Sequence, residues 1–455
     1  MRAACATRLP PTGPHVHAGV VLAVGLSLAA CGKSTASDGG ETDAAAHRDA
    51  HARDGGRKPS RDAEVTRDAE VRDAGPVDAP LADTDAAKDG GHPPTDARAP
   101  LVFGANVHPY GDYGNAAPAQ VDTQFSLMQA RKLVKARVNL APIGAQATTA
   151  QAYVAAGSSH GISLSVMLGI DAVCTSDGHT FTSNDATTLY NDTYQAVLAY
   201  VAPLRNSVTD WELGNEIDLT TGQSSPPGQW NQGWVASDWK NVSAYGSPDY
   251  FTNWASAIKG AADAITAINT EYGTHLRRIL NTTGTHVGFL DFMTQNGVTY
   301  DVISYHYYYL LGVSPYALSA QQPGSGTNTW DVFAGLGAFG QPVTINEMNC
   351  AEIYDTNFQN TTTDPLYAAC LTNVRAQIGY FESQTEMNLE SVYVYELLDE
   401  PSQAAPENHF GVFWNAGPGT YTPKANLFLW SAFAGGALSP SEQATLQSFN
   451  LLPLP

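Results

Sequence analysis

The sequence predicts an α/β fold: a closed (β/α)8 TIM barrel preceded by a signal peptide and a disordered tether. Three observations predict it. Composition changes abruptly near residue 100 of the 455-residue chain. Beyond that point, short β-branched runs alternate with longer stretches of helical periodicity. Polar residues gather where those runs end, the place where a barrel of this kind keeps its functional groups.

The leader comes first. Arg2 and Arg8 precede an apolar run from Ala18 to Ala30, which closes on Leu28-Ala29-Ala30-Cys31. A short apolar segment with small residues before a cleavage point reads as a secretory signal over residues 1–30, too short to span a bilayer comfortably. Its last four residues resemble the bacterial lipobox. That resemblance implies cleavage before Cys31, a diacylglycerol on its thiol, and an extracytoplasmic protein anchored at the outer membrane or cell surface. No Asp follows Cys31 to suggest retention at the inner membrane.

The tether comes next, over residues 31–100. It is built from Asp, Ala, Arg and Gly, and holds a degenerate repeat, Arg61-Asp62-Ala63-Glu64-Val65 and Arg67-Asp68-Ala69-Glu70-Val71. Without aromatics it cannot bury enough surface to offset chain entropy, so it is expected to be a disordered spacer. About seventy such residues would span a few tens of ångströms.

Residues 101–455 are expected to form one barrel domain. The net charge of the chain is -21, most of it in this part. An acidic surface excludes nucleic acid as a partner, because phosphate binding needs clustered Lys and Arg. Contact with a membrane is expected only through the lipid at Cys31. Three cysteines, Cys174, Cys350 and Cys370, allow three single disulfides, of which Cys350–Cys370 closes a local loop. No spacing suggests a metal site or a cofactor, and nothing marks a cysteine as an activated nucleophile.

Eight runs read as strands: Leu101–Val107, Lys135–Leu140, Ile162–Gly169, Val208–Asn215, Arg277–Thr283, Asp301–His306, Pro342–Asn346 and Ser391–Glu396. Each is followed by room for a helix. Gln195–Leu204 and Trp254–Ile268 carry apolar residues at helical spacing. No Gly-x-Gly-x-x-Gly follows the first run, which sets aside the open dinucleotide-binding sheet.

The fourth run closes with Trp211-Glu212-Leu213-Gly214-Asn215-Glu216, the seventh with Thr344-Ile345-Asn346-Glu347, and the sixth with Tyr305-His306-Tyr307-Tyr308. Two carboxyl groups facing each other are what glycoside hydrolysis needs, one held as an acid and one ionised to attack carbon. Asn-Glu after strand four with Glu after strand seven resembles clan A of the glycoside hydrolases, a resemblance that runs from Leu101 to about Ser431 and also supports counting eight strands. It implies that Glu216 is the acid/base, Glu347 the nucleophile, and Asn215 a ligand of the sugar 2-hydroxyl. It likewise implies that Arg137 keeps the nucleophile ionised, and that His306 or Tyr308 hydrogen-bonds Glu347 or the sugar. Strand eight departs from the clan: Tyr395 or Glu396 stands where many members carry a tryptophan platform. Asn408-His409-Phe410-Gly411-Val412-Phe413 and Pro423-Lys424 are similar to a segment near the end of such barrels.

Other polar residues are weighed against these. Glu212 shares strand parity with Glu216 but lies deeper. Asn106 and His108 end strand one and are substrate-binding candidates. Trp230, Trp234 and Tyr245, after Glu216, could stack on sugars or simply pack. The expected activity is retaining hydrolysis of a β-linked polysaccharide or oligosaccharide without metal or cofactor, with a raised pKa on Glu216. The alternatives are a non-catalytic surface glycan-binding lipoprotein and a transglycosylase using the same site.

Overall fold

The computed structural model describes residues 99–108, 118–139, 147–173, 181–219, 242–245, 249–284, 286–308, 319–321, 329–354, 358–401, 403, 407–417 and 419–454. The expected signal peptide, the lipidation candidate Cys31, the tether up to residue 98, Cys174, Trp230 and Trp234 lie outside the described residues.

Strands and helices alternate: β1 (Val102–Val107), α1 (Pro118–Ala130), β2 (Lys135–Asn139), α2 (Ala147–His160), β3 (Ser163–Met167), α3 (Ala186–Val201), β4 (Asp210–Glu212) and α4 (Asp249–Tyr272). The second half continues with β5 (Arg277–Thr283), α5 (Val287–Gln295), β6 (Val302–Tyr307), α6 (Val332–Gly337), β7 (Val343–Met348), α7 (Tyr367–Ser383), β8 (Leu389–Val394) and α8 (Ala425–Phe433). The eight strands pair in parallel, each with the next, and β8 closes on β1. Parallel strands need crossover helices, and eight of them close the sheet without an exposed edge. Two antiparallel hairpins are added, Ser319–Gln321 with Thr329–Asp331 and Phe413–Asn415 with Tyr421–Pro423.

Each of the eight predicted runs overlaps one barrel strand, but the bounds differ: some strands are shorter than expected, while Val302–Tyr307, Val343–Met348 and Leu389–Val394 reach beyond their runs. The run Val208–Asn215 keeps only Asp210–Glu212 as strand. The reason is local: Gly214 has φ 91° and Glu216 φ 48°, left-handed values that no extended ladder accommodates. Strand β8 ends at Val394, two residues early, so Tyr395 and Glu396 belong to the loop above the barrel.

Both faces of the strands are covered. In β2, Ala136 and Val138 pack outward under the helices while Arg137 points into the barrel, the near-continuous burial expected of a parallel barrel. Helices α3 and α4 pack tightly because Gly260 stands at their contact. A Cβ there would lie 2.4 Å from the carbonyl oxygen of Tyr190. The amino-terminal end of the barrel is tied by Arg277, which takes Asp210 in a two-pronged grip (2.8 Å for each bond) and reaches Glu390 at 2.8 Å.

Cys350, just after β7, is disulfide-bonded to Cys370 in α7, and both are buried. The bridge closes a loop of 20 residues. By the chain-entropy argument, replacing both cysteines with serine should cost about 3 kcal/mol. Urea unfolding under oxidising conditions measures this. An unchanged midpoint in the double variant would mean that the bridge is not formed in solution.

Candidate active site

The mouth of the barrel is organised by one guanidinium. Arg137 is 5% exposed and projects from the middle of β2 into the interior. Its Nε donates to Glu212 Oε2 at 2.5 Å and its Nη2 to Glu212 Oε1 at 3.2 Å. Its Nη1 donates to Glu347 Oε1 and, at 2.9 Å, to Asn106 Oδ1; Nη2 also donates to Asn215 Oδ1 at 2.7 Å. Only a planar fork of donors can serve two carboxylates and two amides at once. Burial opposes the charge on Arg137, but Glu212 and then Glu347 outweigh it and hold its pKa well above the usual range.

Glu347 also accepts from the Tyr308 hydroxyl, which meets Oε2 at 2.9 Å. His306 faces the other way. Its Nδ1 lies 2.8 Å from Glu216 Oε1 and 3.4 Å from Glu347 Oε2, so His306 and Glu216 are hydrogen-bonded. One carboxylate oxygen from each of Glu216 and Glu347 lies within 4.8 Å of the other and of a His306 ring nitrogen. Glu216 is half-buried and Glu347 is buried.

Backbone irregularities aim both acids. On β7, Thr344 faces inward, its Oγ1 2.8 Å from Ser391 Oγ. Strict alternation would then turn Asn346 inward and Glu347 out toward the helices. Instead the register with β6 steps from Tyr305↔Ile345 to His306↔Glu347, leaving Asn346 as an extra residue. This bulge swings Glu347 into the mouth. Asn106 holds it in place, its Nδ2 donating to the Asn346 carbonyl at 2.7 Å and to that of Val394 at 3.2 Å. After β4 the left-handed turns at Gly214 and Glu216 do the corresponding work. There the Glu216 amide is fixed by Asn281 Oδ1 at 2.7 Å.

The remaining predicted residues fall into two groups. Asn215 lies beside the acids and accepts from Arg137. Tyr395 stands at the rim, its ring edge-on to His108 at 5.5 Å and to Tyr308 at 6.3 Å. Glu396 is only 2% exposed, with its Oε2 3.7 Å from His108 Nε2, while His108 Nδ1 lies 3.7 Å from Glu400 Oε1. Tyr245 is buried against Phe251, Phe289 and Phe292, so it packs the scaffold and is not an open sugar platform.

Sequence reasoning passed over several supports. Asn281 and Ser304 form a chain to Glu212, with Asn281 Nδ2 to Ser304 Oγ and Ser304 Oγ to Glu212 Oε1, both at 3.0 Å. Their signal was strand parity with the acids on neighbouring strands. Asp218 is fully buried, accepts from the Thr283 amide at 2.7 Å and hydroxyl at 2.8 Å, and pairs with His286 at 3.0 Å. Asp399 accepts from Lys424 at 2.6 Å; burial raises the Asp399 carboxyl to about 6 and lowers the Lys424 ammonium to about 8. Among the described residues, two clusters could offer three ligand atoms to an ion, Glu216–His306–Glu347 and His108–Glu396–Glu400. A third, Cys350–Glu352–Cys370, has its thiols consumed by the disulfide.

Two predictions follow from this network. Removing the fork in Arg137→Met leaves two buried carboxylates without their cation and should cost about 3–5 kcal/mol in urea unfolding. Arg137→Lys should recover only part of that, because an ammonium cannot fork; full recovery would reduce the role of Arg137 to its charge. The second concerns pH. Burial pushes the His306 imidazole below its ordinary range, against the pull of Glu347 and aided by Arg137. As pH falls, the unfolded chain takes up this proton first, so stability present above about pH 6.5 is lost below it. Wild type should therefore lose more stability than His306→Asn between about pH 7.5 and about pH 5.5. Equal losses would show that His306 is not held neutral.

No protein-family model matches the chain, and no curated protein does. Among solved structures it is similar to the Ignisphaera aggregans GH53 catalytic domain, at 14% identity over 73% of this chain and 94% of that one, with a TM-score of 0.42. It is also similar to a GH1 beta-glucosidase from Exiguobacterium antarcticum, at 11% identity over 78% and 99% with a TM-score of 0.46. A third is a Penicillium canescens endo-1,4-beta-xylanase, at 14% identity over 74% and 95% with a TM-score of 0.47.

Proposed function

We propose that the chain is a retaining glycoside hydrolase acting on a β-linked polysaccharide or oligosaccharide through a glycosyl-enzyme intermediate. One observation carries this reading: Glu216 and Glu347 bring carboxylate oxygens within 4.8 Å across the barrel mouth. Retaining pairs stand about 5–5.5 Å apart, whereas inverting pairs leave about 6.5–9.5 Å for a water between them.

The surroundings of the two acids differ in the sense the reaction needs. Glu347 receives donors from a guanidinium and a phenol, Arg137 and Tyr308, and a carboxylate accepts both. It is the nucleophile: its oxygen forms the bond to the anomeric carbon while the bond from that carbon to the leaving oxygen breaks. Glu216 is the acid: in its protonated form it donates to Nδ1 of buried, neutral His306 and passes its own proton to the leaving oxygen, becoming a carboxylate. In the second half, ionised Glu216 takes a proton from water as the water oxygen displaces Glu347 from the anomeric carbon. Asn215, tied to Arg137, is placed to meet the sugar hydroxyl beside the reacting carbon.

The test is reducing-sugar release by the full chain from xylan, mannan, arabinan, galactan and mixed β-glucans. Wild type should hydrolyse at least one. Glu216→Gln should lose about 10²–10⁴-fold in kcat on a substrate with a poor leaving group. Glu347→Gly should be inactive and regain turnover when azide replaces the missing carboxylate, with inverted product. A folded wild-type chain that binds these glycans yet releases no sugar would overturn the reading in favour of a binding protein. Azide without effect would remove Glu347 from the nucleophile's role.

A further inference from the structure

The acid assigned above stands beyond the regular part of its strand. The main-chain ladder between β4 and β5 runs as far as the Leu213 amide, which donates to the Ile279 carbonyl at 2.8 Å. Glu216 lies further along with a left-handed backbone at φ 48°, so strand geometry does not aim its side chain. A single tight helical turn follows, Ile217–Leu219. Asp218 stands in the middle of that turn and is fully buried.

Asp218 is bonded across to β5. Its Oδ2 accepts from the Thr283 amide at 2.7 Å, the Thr283 hydroxyl at 2.8 Å and the Thr282 hydroxyl at 3.3 Å, and lies 3.0 Å from His286 Nδ1. The Glu216 amide meets the residue just before these, donating to Asn281 Oδ1 at 2.7 Å. Three successive residues of β5, Asn281, Thr282 and Thr283, therefore hold the segment 216–218 at both of its ends. Thr283 is also the register partner of His306 on β6, and His306 Nδ1 lies 2.8 Å from Glu216 Oε1. The clamp thus fixes the segment that carries Glu216 against the strand beside its imidazole partner. Apolar packing could join two segments without charge, whereas burying a carboxylate is costly unless hydrogen bonds satisfy it. What the carboxylate adds over packing is direction, since each donor must meet it along a defined line.

We infer that Asp218 is the positioning residue of the acid, holding Glu216 in line with the leaving oxygen by tying the 216–218 segment to the end of β5. The inference rests on the reading of Glu216 as the acid. Asp218 takes no proton in this scheme and acts through the backbone of Glu216. A misplacement of about 1 Å costs about 10²-fold in rate, and here it is felt only where the proton of Glu216 is needed. That separates the role from a purely structural one. Dinitrophenolate departs without a proton, whereas a sugar alkoxide requires one. A general loss of folded enzyme slows both substrates equally.

The experiment compares the full chain with Asp218→Ala, Asp218→Asn and Glu216→Gln, each checked for folding by circular dichroism and thermal melting. Two substrates serve for all: the panel glycan that wild type hydrolyses fastest, and a dinitrophenyl β-glycoside of the same sugar. Asp218→Ala should lose about 10²-fold in kcat on the glycan and less than about tenfold on the dinitrophenyl glycoside. Asp218→Asn keeps an oxygen that can accept from the Thr283 amide, and should fall between Asp218→Ala and wild type. Should Asp218→Ala not fold, Thr283→Val removes one donor and should show the same split at smaller size. Equal losses on the two substrates, or no loss on either, would overturn the positioning role. An Asp218→Asn variant as slow as Asp218→Ala would overturn the hydrogen-bonded clamp as its means. Glu216→Gln tells the two readings apart. If it shows the split and Asp218→Ala does not, only the role of Asp218 falls. If Glu216→Gln shows no split, the assignment of Glu216 falls and this inference falls with it.

Discussion

Two carboxylates buried in a barrel mouth repel each other and are each stripped of water, a cost of several kcal/mol per ion that must be offset locally. In this chain Arg137 offsets it. Glu212 takes one edge of its guanidinium and Glu347 one prong of the other, while Asn106 and Asn215 accept the donors that remain. Everything else at the mouth is arranged around that plane. Asn106 spends its Oδ1 on Arg137 and its Nδ2 on the backbone of β7 and β8. One amide thus joins the cation, the bulge that aims Glu347 and the end of the last strand. The two ends of the barrel use the same device for different purposes. Arg277 at the amino-terminal end grips Asp210 and Glu390 far from the mouth, where charge pairing contributes only to holding strands together.

The two acids gain their positions through departures from ideal strand geometry. A bulge at Asn346 reverses the face on which Glu347 falls, and left-handed backbone at Gly214 and Glu216 ends β4 after three residues. A non-glycine residue at φ 48° carries a cost of order 1–3 kcal/mol. It is tolerated because the Glu216 amide is bonded to Asn281 and the side chain to His306. A barrel built only for stability would continue the ladder at both places.

How much of this could be read in the sequence follows from the same geometry. The alternation of strands and helices was legible because parallel strands buried on both faces leave β-branched runs, and each of the eight runs overlaps a barrel strand. Asn215, Glu216, His306, Tyr308 and Glu347 were legible as a set because they lie at or near strand ends, whereas Arg137, in the middle of β2, was legible only through the clan resemblance. What could not be read were the bulge and the turns. Parity arithmetic assumes a two-residue period, and one extra residue at Asn346 defeats it. Glu212 was set aside as too deep, and it is fully buried. That depth lets it hold Arg137 from below, a role that shows only when β2 and β4 are seen two strands apart. Tyr245 illustrates the converse. An aromatic in an insertion looks like a sugar platform until its phenylalanine neighbours, which come from α4 and α5, are in view.

The unequal settings of Glu216 and Glu347 have a common origin in this frame. Glu347 sits on the Arg137 side of the mouth and receives a cation and a phenol. Glu216 meets an imidazole instead, that of His306 at 2.8 Å. Burial drives that imidazole toward its neutral form, so it offers Glu216 a proton partner and not a second fixed positive charge. Had His306 been an arginine, both carboxylates would have been clamped as anions. The asymmetry depends on one fork being full and one neighbouring base being dry. Those two conditions are set by β2 and β6, not by the strand ends that carry the acids.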